Sequence, residues 1–194
     1  MKKILLYLSI TLCAISCKEK LQPADVALHE MINSSYDHYV SRYSKENIPS
    51  PLLIKTTHTG LRAADSLSII KMDTLFTKED LAYIFEQAKD TTAVVLNPAL
   101  LKGANTLITQ KELDTFWKEC APKDLDTCWR EFEKRYHKTG YTFYNKPLFN
   151  KNHTVALLYQ DHHCGSLCGG MLTLIYKKEK GRWNIVGHLN PGAR

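Results

Sequence analysis

The densest group of chemically capable side chains is the segment Asp161–Gly170, which holds two histidines, two cysteines and a serine. Cys164 and Cys168 flank three residues, and if these form a hairpin loop the cysteine Cα atoms lie about 5.5 Å apart, within disulfide range. Three glycines in the segment give the loop and the returning strand backbone freedom. The pattern therefore predicts a disulfide-closed hairpin. The candidate binding residues on this loop are His162, His163 and Ser166.

The same segment has two alternative interpretations. The first is a metal site, because a tetrahedral site takes four nitrogen or sulfur donors. The ligand set would be His162, His163, Cys164 and Cys168. Neighbouring strand residues point to opposite faces, however, so the two histidines do not easily share one ion. The second is a redox pair, although three residues rather than two separate the cysteines and such a thiol normally opens a helix. The leading interpretation requires no metal or other cofactor and assigns no catalytic residue.

A second cysteine pair, Cys120 and Cys128, lies eight residues apart within a helical pattern. In one unbroken helix the rise between them is about 12 Å, which is too long for a disulfide. Pro122 lies between them and would break the helix, so that the pair can close. We therefore expect two local disulfides. Crossed pairing of Cys120 and Cys128 with the hairpin cysteines remains the alternative.

The amino terminus has the composition of an export signal. Lys2 and Lys3 precede a largely apolar run over residues 4–15, which is shorter than the roughly 20 residues of a membrane-spanning helix. The run leads into Ala14-Ile15-Ser16-Cys17, which resembles the lipobox of bacterial lipoproteins. The resemblance implies that residues 1–16 are a lipoprotein signal peptide, that Cys17 carries lipid, and that residues 17–23 form a lipidated tether.

Location and partners follow from this interpretation. Lipidation on Cys17 would attach the protein to the cell membrane or outer membrane, facing the periplasm or the cell exterior, with membrane lipid as its first partner. The four cysteines that remain after Cys13 and Cys17 are an even number, which is typical of an oxidising compartment. The formal charge of +6 falls by two with Lys2 and Lys3, and no basic stripe with interleaved aromatics predicts a nucleic-acid partner. An envelope protein or a glycan is the expected further partner.

Helical patterns come first along the chain and strand patterns last, which predicts an α+β fold. We expect N-terminal helices packed on a C-terminal antiparallel β-meander of about four strands, in a single domain over residues 24–194. Residues 24–120 would be mainly helical, and residues 121–194 would form a helix and the meander. Thr77 and Thr109 each precede an acidic residue by three positions, as in a capping box. Gly140 is placed to end the helix before the meander.

The chain from Trp129 onward contains aromatic residues and glycines in a characteristic order. Its members are Trp129, Phe132, Tyr136, Gly140, Pro147, Phe149, Ala156, Leu157, Tyr159, Cys164, Gly165, Cys168, Gly169, Leu174 and Trp183. This order resembles a C-terminal module, without an assigned function, of secreted and lipid-anchored bacterial proteins, mostly of Bacteroidetes-type genomes. The resemblance covers about the last third of the chain and implies location and fold but no chemistry. We therefore expect a membrane-anchored envelope lipoprotein acting as a non-enzymatic binding or structural module. The alternative is a metal-binding or redox protein that uses the loop from His162 to Cys168.

Overall fold

The structure is a computed structural model of the chain. It describes residues 23–42, 52–54, 56–57, 61, 63–103 and 106–192. The predicted signal peptide, Cys17 and most of the predicted tether lie outside these ranges. Among the residues described, no helix combines the length and the apolar character needed to cross a membrane.

Five α-helices lie in the described ranges. They are α1 (Pro23–Arg42), α2 (Ala63–Ile70), α3 (Lys78–Gln87), α4 (Gln110–Cys120) and α5 (Leu125–Tyr136). Both predicted capping boxes are present: the Thr77 hydroxyl accepts the Asp80 amide at the start of α3. Thr109 and Glu112 make the same reciprocal contacts at the start of α4. Free amides at the first turn are satisfied in this way, so local chemistry alone sets where these helices begin.

Nine strands complete the described fold. They are β1 (Leu52–Ile54), β2 (Thr56–Thr57), β3 (Val94–Val95), β4 (Leu107–Ile108), β5 (Tyr141–Tyr144), β6 (Leu148–Phe149), β7 (Val155–His163), β8 (Gly169–Glu179) and β9 (Arg182–Gly192). The main sheet runs β4-β1-β5-β7-β8-β9, with β6 paired to β7, while β2 and β3 form a separate pair. The antiparallel run β5-β7-β8-β9 confirms the α+β prediction and the meander of about four strands. The sheet is nevertheless mixed, because β1 pairs in parallel with both β4 and β5.

Helices cover both faces of the meander. Side chains alternate along β7 and β8, so Leu158 and Tyr176 pack with α1 in one apolar cluster. Leu157 and Ile175 point the other way and pack with residues of α2 and α3. Strands buried on both faces have continuous apolar runs instead of clean alternation, which explains the apolar stretches of β7 and β8.

A third cluster lies where α4 and α5 pack on the β1, β4 and β5 end of the sheet. Its centre is Phe132 of α5, which is fully buried between Phe116 of α4 and Tyr141 of β5. These aromatic contacts hold the start of α5 beside the end of the β7–β8 hairpin. The candidate site described below is built at this junction.

The helix α5 does not end as the sequence predicts. It ends at Tyr136, and the left-handed residue that follows is His137, with φ of 54°, so the prediction of Gly140 as the helix stop is wrong. Gly140 has a different role, because it lies directly against the end of β7. A Cβ atom at this position would meet the carbonyl oxygen of His163 at 2.2 Å. Glycine is therefore required at position 140 because the two backbone segments leave no space for a Cβ atom.

Candidate functional site

The β7–β8 hairpin closes with a disulfide at its tip. Cys164 and Cys168 are bonded, with their Cα atoms 4.9 Å apart, and the Cys164 amide donates to the Cys168 carbonyl at 3.1 Å. The last strand pair before the loop is His163 with Gly169. The predicted hairpin and its local disulfide are confirmed. The disulfide encloses loop residues 165–167 in a covalent ring.

The second disulfide joins the end of α4 to the first turn of α5. Cys120 is the last residue of α4, and its Cα lies 5.6 Å from that of Cys128. The chain turns between the two helices around Pro122, so the expected break and the local pairing are both confirmed. Crossed pairing with the hairpin cysteines is not what the structure contains.

A side-chain hydrogen bond joins the hairpin loop to the start of α5. The Ser166 hydroxyl, in the hairpin loop, donates to the Asp126 carboxylate in the first turn of α5 at 2.6 Å. Asp124 caps the same helix by accepting the Thr127 amide at 2.9 Å. Hydrogen bonds from the Thr127 hydroxyl and then from its amide hold the pKa of the Asp124 carboxyl below its usual range. The surface formed by residues 164–168 and residues 124–127 is termed the stapled end.

The stapled end exposes two leucines. Leu167, in the closed loop, has a relative exposure of 101%, and Leu125, at the start of α5, has 52%. Each leucine is adjacent in sequence to one partner of the Ser166–Asp126 contact. Sequence reasoning missed both of them. The available signal was an apolar residue in a short loop whose other members are glycine and serine.

His162 belongs to the structural support of the hairpin. Its Nδ1 shares a hydrogen bond of 2.8 Å with the Thr142 hydroxyl on the neighbouring strand β5. Burial of the ring, and secondarily the proximity of His163, lowers the pKa of His162. The ring is therefore neutral under conditions in which an exposed imidazole is partly protonated. This histidine stabilises the pairing of β5 with β7.

His163 lies on the opposite face of the sheet, as strand alternation requires. Its ring stacks on Tyr141 with centroids 4.7 Å apart and an interplanar angle of 12°. Its Nε2 lies 3.2 Å from Oδ1 of Asp161, which is two residues earlier on the same face. The Tyr141 ring is part of the aromatic cluster of α4 and α5, so His163 connects the hairpin to that cluster.

The structure does not bring the four residues of the alternative metal site together. Cys164 and Cys168 are bonded to each other, and His162 and His163 point to opposite faces of the sheet. Within the described ranges, no three or more histidine, cysteine, aspartate or glutamate side chains are grouped so that they could hold a metal ion.

Fold and site together define an α+β protein whose disulfide-closed hairpin is fixed against the start of a disulfide-bonded helix. Comparison with family models, with curated proteins and with solved structures found no match for this chain. The geometry of the stapled end is therefore the main structural indication of function.

Proposed function

We propose that the protein is an envelope lipoprotein, anchored to a membrane through Cys17, that acts as a non-enzymatic binding module. It contacts a protein partner in the envelope through the stapled end. The observation that supports this proposal is Leu167, an apolar side chain held fully exposed on a covalently closed loop. An isolated surface leucine is ordinary, but one displayed on a disulfide-closed loop that is hydrogen-bonded to the start of α5 is suited to fill a pocket on a partner.

Rigidity gives the stapled end an energetic advantage in binding. Ordering a flexible side chain at an interface costs about 0.5–1.5 kcal/mol, and loops add their own ordering cost. Here the Cys164–Cys168 bond and the Ser166–Asp126 contact have already ordered the loop. Burial of a leucine side chain contributes about 1.5–3 kcal/mol, so a partner pocket would retain most of that free energy.

The reactive side chains of the loop are committed to structural contacts. His162 bonds to Thr142, the ring of His163 stacks on Tyr141, and both hairpin cysteines are bonded to each other. Metal binding at this loop would require opening the disulfide and turning one histidine to the other side of the sheet. The metal-binding alternative thus has no supporting observation at this site.

The anchor can be tested by replacing the cysteine that would carry lipid. Cys17→Ser is expected to release the protein from membranes or to leave it unprocessed, because the thioether-linked lipid cannot form. The measurement is membrane fractionation with mass determination of the amino-terminal peptide. Cys13→Ser is the matched control and should fractionate as the wild type does. A Cys17→Ser protein that is still processed and membrane-bound would show that the anchor assignment is wrong.

The partner surface can be tested by introducing charge at its exposed apolar residue. Leu167→Asp is expected to lower the affinity for the partner at least about tenfold, because one carboxylate must then enter an apolar pocket. Leu67→Asp is the matched control, since Leu67 lies on α2 with an exposure of 67%. The measurement is recovery of proteins cross-linked in intact cells to tagged full-length chains. Equal recovery by both variants would contradict a partner site at the stapled end.

A further inference from the structure

A polar groove lies outside the stapled end, between α1 and the turn that joins β8 to β9. Five α1 residues at helical spacing form one wall: Glu30, Asn33, Ser34, Asp37 and His38. Lys102 and residues 181–185 complete the lining, and the groove has a volume of about 710 Å³. This volume is within the range of about 300–1,000 Å³ found for small-molecule sites.

The apolar face of α1 packs on the sheet, which explains why the opposite face, which lines the groove, is polar. Leu28, Met31 and Ile32 are buried against the sheet, so the positions on the other side of the helix point away from the core. Wall residues at 30, 33, 34, 37 and 38 are three or four apart, as neighbours on one helix face must be. The groove therefore presents a row of polar groups along about two turns of helix.

Buried apolar groups underlie the groove. Trp183 is buried and Ile185 half-buried, and both belong to the α1 cluster. The indole Nε1 of Trp183 is buried without a hydrogen-bond partner among the described residues. An apolar floor between polar walls suits a ligand that has both carbon–hydrogen faces and hydrogen-bonding edges.

The loop that forms the far wall is fixed in place. Asn33 donates through Nδ2 to the Leu100 carbonyl at 2.8 Å and accepts the Lys102 amide at Oδ1 at 2.7 Å. The Lys102 ammonium lies 2.5 Å from the Asp37 carboxylate. The wall is thus shaped before any ligand arrives, which reduces the cost of ordering on binding.

Charges of the lining balance. Glu30 and Asp37 carry two negative charges, and Lys102 and Arg182 carry two positive charges. Glu30 and Arg182 have no side-chain partner among the described residues. A carboxylate only accepts hydrogen bonds and a guanidinium only donates them, so a ligand that satisfies both must donate and accept. Hydroxyl groups do both.

From these observations we infer that the groove is a binding site for a short, uncharged oligosaccharide. Sugar hydroxyls would pair with Glu30 and Arg182, while a ring face rests on the apolar floor near Trp183. The balanced charges of the lining offer an anionic ligand no net attraction, and an apolar ligand would leave the polar wall of α1 desolvated without partners. This site is separate from the stapled end, so the inference and the proposed function can fail independently.

The test is isothermal titration calorimetry of the full-length protein with neutral pentasaccharides of glucose, mannose, xylose and N-acetylglucosamine. A tetramer of galacturonic acid serves as the anionic probe. At least one neutral probe is expected to bind, and Glu30→Gln and Arg182→Ala should each weaken it at least about tenfold. The matched controls are Glu133→Gln and Arg130→Ala, which change the same side-chain types at exposed positions of α5 and should leave the affinity unchanged.

Two results would overturn the inference. One is the absence of binding by every neutral probe at millimolar concentration, or binding of the anionic probe alone. The other is a neutral probe whose affinity is the same in the groove variants and in the α5 controls. Thermal unfolding of each variant checks its folding. Arg182 is exposed and Glu30 lies on the outer side of α1, so their replacement should leave the melting temperature unchanged.

Discussion

Gly140→Ala is expected to destabilise the protein by about 3 kcal/mol or more, because two backbone segments leave no room for a methyl group. The added Cβ would lie 2.2 Å from the carbonyl oxygen of His163 and 2.9 Å from the Cβ of Cys164. Neither neighbour can swing away as a flexible side chain would. The His163 carbonyl belongs to β7, and Cys164 is held by its disulfide.

Thermal unfolding of the full-length protein measures this effect. A loss of about 3 kcal/mol corresponds to a fall of about 6–12 °C in Tm for a chain of this size. Gly170→Ala is the matched control, because a Cβ there has no heavy atom within 4 Å. Its Tm should stay close to that of the wild type. Equal melting temperatures for the two variants would show that Gly140 is not closely packed against the hairpin.

Phe132→Ala is expected to lower the free energy of unfolding by about 3–5 kcal/mol, the range for deleting a buried phenylalanine ring. Phe132 is fully buried, and its ring centroid lies 4.8 Å from that of Tyr136 and 5.4 Å from that of Phe116. Its loss would leave a cavity between α4, α5 and β5. Because these elements position the start of α5, the stapled end should also lose its fixed geometry.

Phe85→Ala is the control for this substitution, since Phe85 on α3 is only partly buried. It removes the same ring, and the loss should be clearly smaller than that of Phe132→Ala. Thermal or urea unfolding of the full-length chains measures both free energies. If Phe85→Ala destabilises the protein as much as Phe132→Ala does, the aromatic cluster is not the core of this end of the molecule.

Features determined by local chemistry were predictable from the sequence. The capping boxes at Thr77 and Thr109 satisfy amides within one helical turn, so their signature is contained in four residues. The two disulfides close rings of a few residues, and a break at Pro122 was enough to predict the Cys120–Cys128 bond. The long strands of the meander carry apolar runs that are visible without knowledge of their partners.

Features set by long-range pairing were not predictable. The parallel pairing of β1 with β4 and β5 joins segments far apart in the chain, so no local pattern encodes it. Helix α2 was missed because Leu67 and Ile70 are exposed while Ile69 is buried, which blurs its apolar face. The role of Gly140 depends on the position of His163, which no local pattern encodes.

The candidate site was predicted in part. The loop and its disulfide were expected, but His162 and Ser166, considered as binding residues, make structural contacts with Thr142 and Asp126. The fully exposed Leu167 was not singled out, because exposure depends on how the closed loop lies against α5. Residue types therefore located the disulfide-closed loop and missed which side chain it presents.

The proposed partner site is tested most directly by a photo-reactive phenylalanine analogue placed at position 167 of the full-length protein in living cells. It should cross-link one protein in a saturable way, and the same analogue at position 67 should not cross-link that protein. Adding Leu125→Asp to the position-167 protein should reduce the yield, because both leucines lie on the stapled end. Cross-linking only to lipid at position 167, or the same protein captured equally from position 67, would contradict the proposal.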